Sequence, residues 1–179
     1  MKKKVYSVLS ILLVFVFMFM AAASSSDAET ESKGDDKESA SQAQKEEMPA
    51  YKLGEKVTIK TSTGEYWVRF SSVKETKDRN EFSDTKADRV ILISYDFENV
   101  SYEDDLFISS MDMKLYDKDN NALETYPSTL ANEAPAVSNG RKGSGVLAYA
   151  LNNENNYVEL EYYSNMFNSS ADCKFVLEW

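Results

Sequence analysis

Val90-Ile91-Leu92-Ile93-Ser94-Tyr95-Asp96-Phe97-Glu98-Asn99 alternates along most of its length. Ile91, Ile93, Tyr95 and Phe97 fall on one face, and Ser94, Asp96 and Glu98 on the other. Successive side chains of a strand point to opposite faces, so a period of two marks a half-buried strand. Val90 and Leu92 make the start of this one apolar on both faces. The same period recurs on either side. Val57 and Ile59 alternate with Thr58 and Lys60, and Tyr66, Val68 and Phe70 with Trp67, Arg69 and Ser71. Met113 and Leu115, Leu147, Tyr149 and Leu151, Val158, Leu160 and Tyr162, and Cys173, Phe175, Leu177 and Trp179 continue the pattern. Phe107 to Tyr116 reads as one strand throughout.

Turn chemistry separates these runs. Ser62-Thr63-Gly64 makes a tight hairpin. Asp117 to Asn121 leads to a short strand near Leu123, Ser138-Asn139-Gly140 precedes the Val146 run, and Asn152 to Asn156 is a further polar turn. No stretch has the length and period of a core helix, and Pro127 to Val137 holds one helical turn at most. Short alternating strands punctuated in this way predict an all-β domain, an immunoglobulin-like antiparallel β-sandwich of about seven or eight strands.

Composition agrees on where that domain begins. Residues 50–179 carry 18 aromatics and a net charge of −8, and a chain of that length buries a core without disulfides or metal. Residues 24–49 carry no aromatic and, Met48 excepted, no aliphatic side chain larger than alanine. Eight acids and three lysines give that stretch a net −5. It cannot bury enough apolar surface to offset the entropy of ordering, and is expected to be a disordered acidic tether. Residues 1–23 begin with Lys2, Lys3 and Lys4 and run without charge from Val5 to Ala23. A basic start, an apolar stretch and small residues after it predict a secretory signal cleaved after Ala23, or second after Ala28. The alternative is a retained membrane anchor, since 19 residues lie near the lower limit for spanning a bilayer. Either way residues 50–179 belong outside the cytoplasm, and the membrane is a partner only through an uncleaved N-terminal segment.

Several function classes drop out. The chain has no histidine, which removes His-dependent triads and His-ligated zinc. Its net charge of −10 opposes a phosphate backbone, so no nucleic-acid partner is expected. A single cysteine, Cys173, forms no intramolecular disulfide and shares a face with Phe175 and Leu177, as a small buried hydrophobe does. Asp117, Asp119 and Asn121 have the spacing that opens an EF-hand loop, but Ala122 stands where glycine is needed and Ser128 where glutamate is needed. A polar hairpin is the expectation there, with no metal and no cofactor. A second acidic loop, Glu103 to Asp105, lies at the far end of the Phe107–Tyr116 strand, roughly 30 Å away. Paired carboxylates alone can hydrolyse glycosides, but no pair stands out, and no catalytic residue is nominated. The remaining feature is Tyr163, Met166 and Phe167, in and after a strand and beside Asn165, Asn168, Ser169 and Ser170. Aromatic and thioether side chains in a polar loop form partner-binding patches, and these three are the candidate contact residues.

Tyr51-Lys52-Leu53-Gly54-Glu55, the strand ending Tyr95-Asp96-Phe97-Glu98-Asn99-Val100-Ser101, Met113-Lys114-Leu115-Tyr116-Asp117, and Gly140 with Gly145-Val146-Leu147 follow one another in a familiar order. Over about residues 51–179 this order resembles the DUF4352 family, exported or lipid-anchored domains mostly of Gram-positive bacteria. The resemblance implies an immunoglobulin-like fold similar to that of secreted antigens, at the cell envelope, with no defined biochemical activity. Many members of that family carry a lipobox cysteine, where this chain has Ala23 and Ser24. Some relatives bear a telomere-binding name, which the acidic domain does not support. The function expected is that of an exported envelope protein binding a protein partner. The alternatives are a carboxylate-dependent enzyme on envelope glycans, or a passive envelope protein.

Overall fold

The computed structural model describes residues 48–179. The expected signal or anchor segment, its cleavage at Ala23 and nearly all of the acidic tether lie outside the described residues. Eight strands follow in order: β1 (Ala50–Lys52), β2 (Lys56–Thr61), β3 (Gly64–Thr76), β4 (Arg89–Asn99), β5 (Met113–Tyr116), β6 (Lys142–Leu151), β7 (Tyr157–Tyr162) and β8 (Cys173–Glu178). They form two four-stranded sheets, ordered β1-β8-β7-β5 and β2-β3-β4-β6. The sheets face each other as a β-sandwich. Among the described residues no helix is long and apolar enough to cross a membrane.

The decisive run is β4. Ile91, Ile93, Tyr95 and Phe97 all point inward and are buried, and β4 is flanked on both sides, by β3 and β6. Phe70 of β3 meets Phe175 of β8 edge-on, with ring centroids 4.8 Å apart, so the two sheets touch through aromatic faces. The two-faced start of β4 has a local cause. Tyr126 and Ala131 come from a segment laid along β6, and with Ala148 and Ala150 they cover Val90 and Leu92 from outside. Tyr126 donates its N–H to the carbonyl of Ala148, and Asn132 and Val146 exchange both backbone bonds.

Three expectations need correction. The sandwich is not wholly antiparallel, because β1 lies parallel to β8, with Tyr51 opposite Phe175. A parallel neighbour needs a long crossover, and the whole domain serves as one between these first and last strands. Leu53 then donates to the carbonyl of Val176 and Gly54 to that of Phe70, which carries the chain from one sheet to the other. Phe107 to Tyr116 is not one strand; only Met113–Tyr116 is. Ser109 and Asp112 form a reciprocal capping box that winds Ser110–Asp112 into a single 3₁₀ turn, because serine and aspartate side chains compete with a strand's ladder for the backbone. Pro127 to Val137 holds no helical turn; it runs as an extended cover, with Val137 bridged to Leu106.

Candidate functional site

Four loops gather at one end of the sandwich. The turn at residues 62–63 precedes β3, 100–112 follows β4, 138–141 precedes β6, and 163–172 joins β7 to β8. Backbone bonds tie them to one another. Val100 and Ser101 donate to the carbonyl of Glu65, Gly140 donates to that of Asn99, and Tyr163 donates to that of Asp112. Pro49 accepts from the N–H of Lys174, so the described chain enters at this end too.

Large apolar side chains collect here. Of the seven that are exposed, Val100, Phe107, Met111, Met166 and Phe167 lie on these loops; only Phe82 and Leu130 lie elsewhere. The loop after β7 holds the three residues singled out from the sequence, and they divide. Met166 is half exposed and Phe167 is 88% exposed. Tyr163 is buried, donates its hydroxyl to Glu161, and has the Lys114 ammonium 4.6 Å above its ring. It packs the base of the loop and presents no contact surface. Phe107, Met111 and Val100 went unnoticed in the sequence because a continuous strand through 107–116 hid the 3₁₀ turn that turns them out.

Beneath this rim is a recess of about 180 Å³, walled by Tyr66, Tyr102, Phe107, Tyr162, Asp105 and Asp112. At its floor the hydroxyls of Tyr66 and Tyr162 are 2.9 Å apart and both tyrosines are buried. Burial pushes both phenols well above their ordinary range. Burial likewise raises the Asp112 carboxyl; the Ser109 N–H and hydroxyl oppose this, and the Glu133 charge adds to it. Cys173, close by, is buried, and burial lifts its thiol to about 12, so it carries no thiolate at neutral pH.

The Asp117 loop is at the opposite end. The Asp117 carboxylate accepts from the N–H groups of Asp119 and Asn121 and from the side-chain amides of Asn121 and Asn153, at 2.8–3.2 Å. These donors occupy the oxygens that a cation would use. Among the described residues no group of three or more acidic or cysteine side chains is placed to hold a metal ion. Burial raises this carboxyl, but the donors from Asn121, Asp119 and Asn153 outweigh it and hold the pKa below its ordinary value. A depressed carboxyl stabilises the fold above about pH 4, and that stability is lost as pH falls through the folded value. Asp117→Ala, which strands those donors, is expected to cost about 1–3 kcal/mol in urea melts at neutral pH. Millimolar Ca²⁺ is expected to leave the melting temperature of the wild-type protein unchanged.

Residues 21–164 match the family described as Domain of unknown function (DUF5067). The chain belongs to that family. The resemblance to DUF4352 is thereby corrected, and the geometry shows why its motifs misled. Gly54 sits at a φ of 87° where the chain changes sheets, and Gly143 and Gly145 lie beneath the Phe97 and Tyr95 rings of the neighbouring strand. Those glycines serve the sandwich itself, so their order reports a fold and not one family. No curated protein matches the chain by sequence. Among solved structures, a secreted protein of Mycobacterium tuberculosis, MPT63, is similar at 9% identity and a TM-score of 0.57, over 75% of this chain and 99% of that one. The yjhA protein of Bacillus subtilis is 18% identical, with a TM-score of 0.50, over 72% and 98%. The candidate lipoprotein ycdA of Bacillus subtilis is 15% identical, with a TM-score of 0.50, over 64% of this chain and 36% of that one. At these identities the likeness is one of fold.

Proposed function

We propose that this is an exported protein of the cell envelope whose immunoglobulin-like sandwich binds a protein partner through the end that carries Phe107, Met111, Met166 and Phe167. The observation that supports it is the gathering of five of seven exposed large apolar side chains on loops at one end. An apolar rim set among polar loop residues is what a protein interface requires. Placement outside the cytoplasm follows from the N-terminal signal pattern, and the secreted and lipoprotein neighbours agree with it.

The test is crosslinking in cells of the full-length chain tagged after Trp179. Met111→Ser with Phe167→Ser, both at exposed positions, is expected to lose a saturable partner that the wild type and a Phe82→Ser control both capture. Equal capture by the rim variant would overturn the reading.

One observation favours a second reading. Asp112, raised by burial, shares its recess with Asp105, and two unlike carboxylates are what a glycosidase needs. Against it, Asp112 Oδ2 is tied to the Ser109 N–H and hydroxyl. The recess, about 180 Å³, is also smaller than the ligand sites of roughly 300–1,000 Å³ usual for small-molecule binding.

A further inference from the structure

Resting on the reading above, we propose that the recess below the apolar rim receives the ammonium group of a lysine side chain carried by the protein partner. Four aromatic residues wall it, and Tyr66 and Tyr102 meet edge-on at 6.2 Å. Aromatic faces attract a cation, more strongly where water is excluded. Asp105 and Asp112 add two carboxylates, and no lysine or arginine lines the recess. The four ion pairs among the described residues are Arg69–Asp96, Arg89–Glu75, Lys142–Glu98 and Lys174–Glu159. None engages either acid of the recess, so its negative charge has no internal counterpart.

A separate observation concerns the floor. Each phenol oxygen has two acceptor lone pairs, and the bond between Tyr66 and Tyr162 fills only one of the four. No other donor reaches either hydroxyl, and both residues are almost wholly buried. Buried acceptors without donors are costly, and an ammonium brings three. The volume admits that group and the last methylenes of its stem, with Leu106 as an apolar wall. A planar guanidinium is wider and suits bidentate carboxylates on a flat face. The apolar rim selects a polypeptide over a free amine, which would leave Phe107 and Met111 uncovered.

The experiment is an NMR titration of the isotope-labelled full-length chain with three blocked tripeptides, alanine–X–alanine, where X is lysine, norleucine or arginine. The lysine peptide is expected to shift the amides of Leu106, Phe107, Asp112 and Ser164 saturably, binding on the order of tenfold more tightly than the norleucine peptide. Phe107→Ala and Asp105→Asn, both at exposed positions, are each expected to weaken it several-fold. Equal binding of the norleucine or the arginine peptide, or shifts centred elsewhere, would overturn the proposal. If the peptide series fails while Met111→Ser with Phe167→Ser still loses its partner, the binding end stands and the lysine recess falls. If the lysine peptide binds while the rim variant keeps its partner, the recess stands and the rim reading falls.

Discussion

Gly64→Ala is expected to cost at least about 3 kcal/mol, a large share of the roughly 5–15 kcal/mol that holds a domain folded. Gly64 opens β3 at a φ of 134°. A Cβ there would fall on the Ser101 carbonyl, 2.6 Å from its carbon and 2.7 Å from the Cα of Tyr102. All of these are backbone atoms, so no side chain can swing aside. The loop itself is stapled. Val100 and Ser101 donate to Glu65, Glu103 donates to the carbonyl of Thr63, and the Ser101 hydroxyl accepts from the Glu65 N–H. Relief would require breaking that set, and with it the wall of the recess at Tyr102. Gly140→Ala is the control. Its φ of 74° is also left-handed, but nothing lies within 4 Å of the added carbon, so its cost is expected to be about 1 kcal/mol. Urea melts of the two variants check the contrast. Equal midpoints would show that loop 100–103 moves freely.

Phe70→Ala is expected to remove about 3–5 kcal/mol and to lower the melting temperature on the order of 10–20 °C. Phe70 is fully buried at the meeting of the sheets, 4.8 Å from the Phe175 ring and 6.4 Å from that of Tyr95. Removing it leaves a void bounded by aromatic rings held on different strands, which cannot close without shifting a ladder. A thermal melt by near-ultraviolet circular dichroism measures the loss. A change below about 1 kcal/mol would mean that the cavity collapses and that the inter-sheet contact is plastic.

Most of the architecture was legible in the residues. Ile91, Ile93, Tyr95 and Phe97 alternate because β4 is covered on one face along its length, and Val90 and Leu92 break the alternation where the Tyr126 segment covers the other. The Ser62–Gly64 hairpin and the burial of Cys173 were legible for the same local reason. The stretch Phe107 to Met111 was not. Its apolar spacing fits a strand, but the capping box of Ser109 with Asp112 takes the backbone away from any ladder. Half of the contact loop was legible: Met166 and Phe167 are exposed, whereas Tyr163 turns inward beneath Lys114.

The sequence by itself determined the period of each strand, the turns between strands, the side chains that must be buried, and the exclusion of histidine chemistry. These follow from properties that each residue carries locally: side-chain direction, backbone freedom and solubility in water. Only the tertiary structure decided that β1 lies parallel to β8. It also decided that residues as distant as Phe107 and Phe167 share one end, and that Tyr66 and Tyr162 meet at the floor of an acidic recess. The bonds that join strands run between backbone groups that are alike in nearly every residue. Which strands meet is therefore settled by how the two apolar faces fill one core, and a linear pattern does not record it.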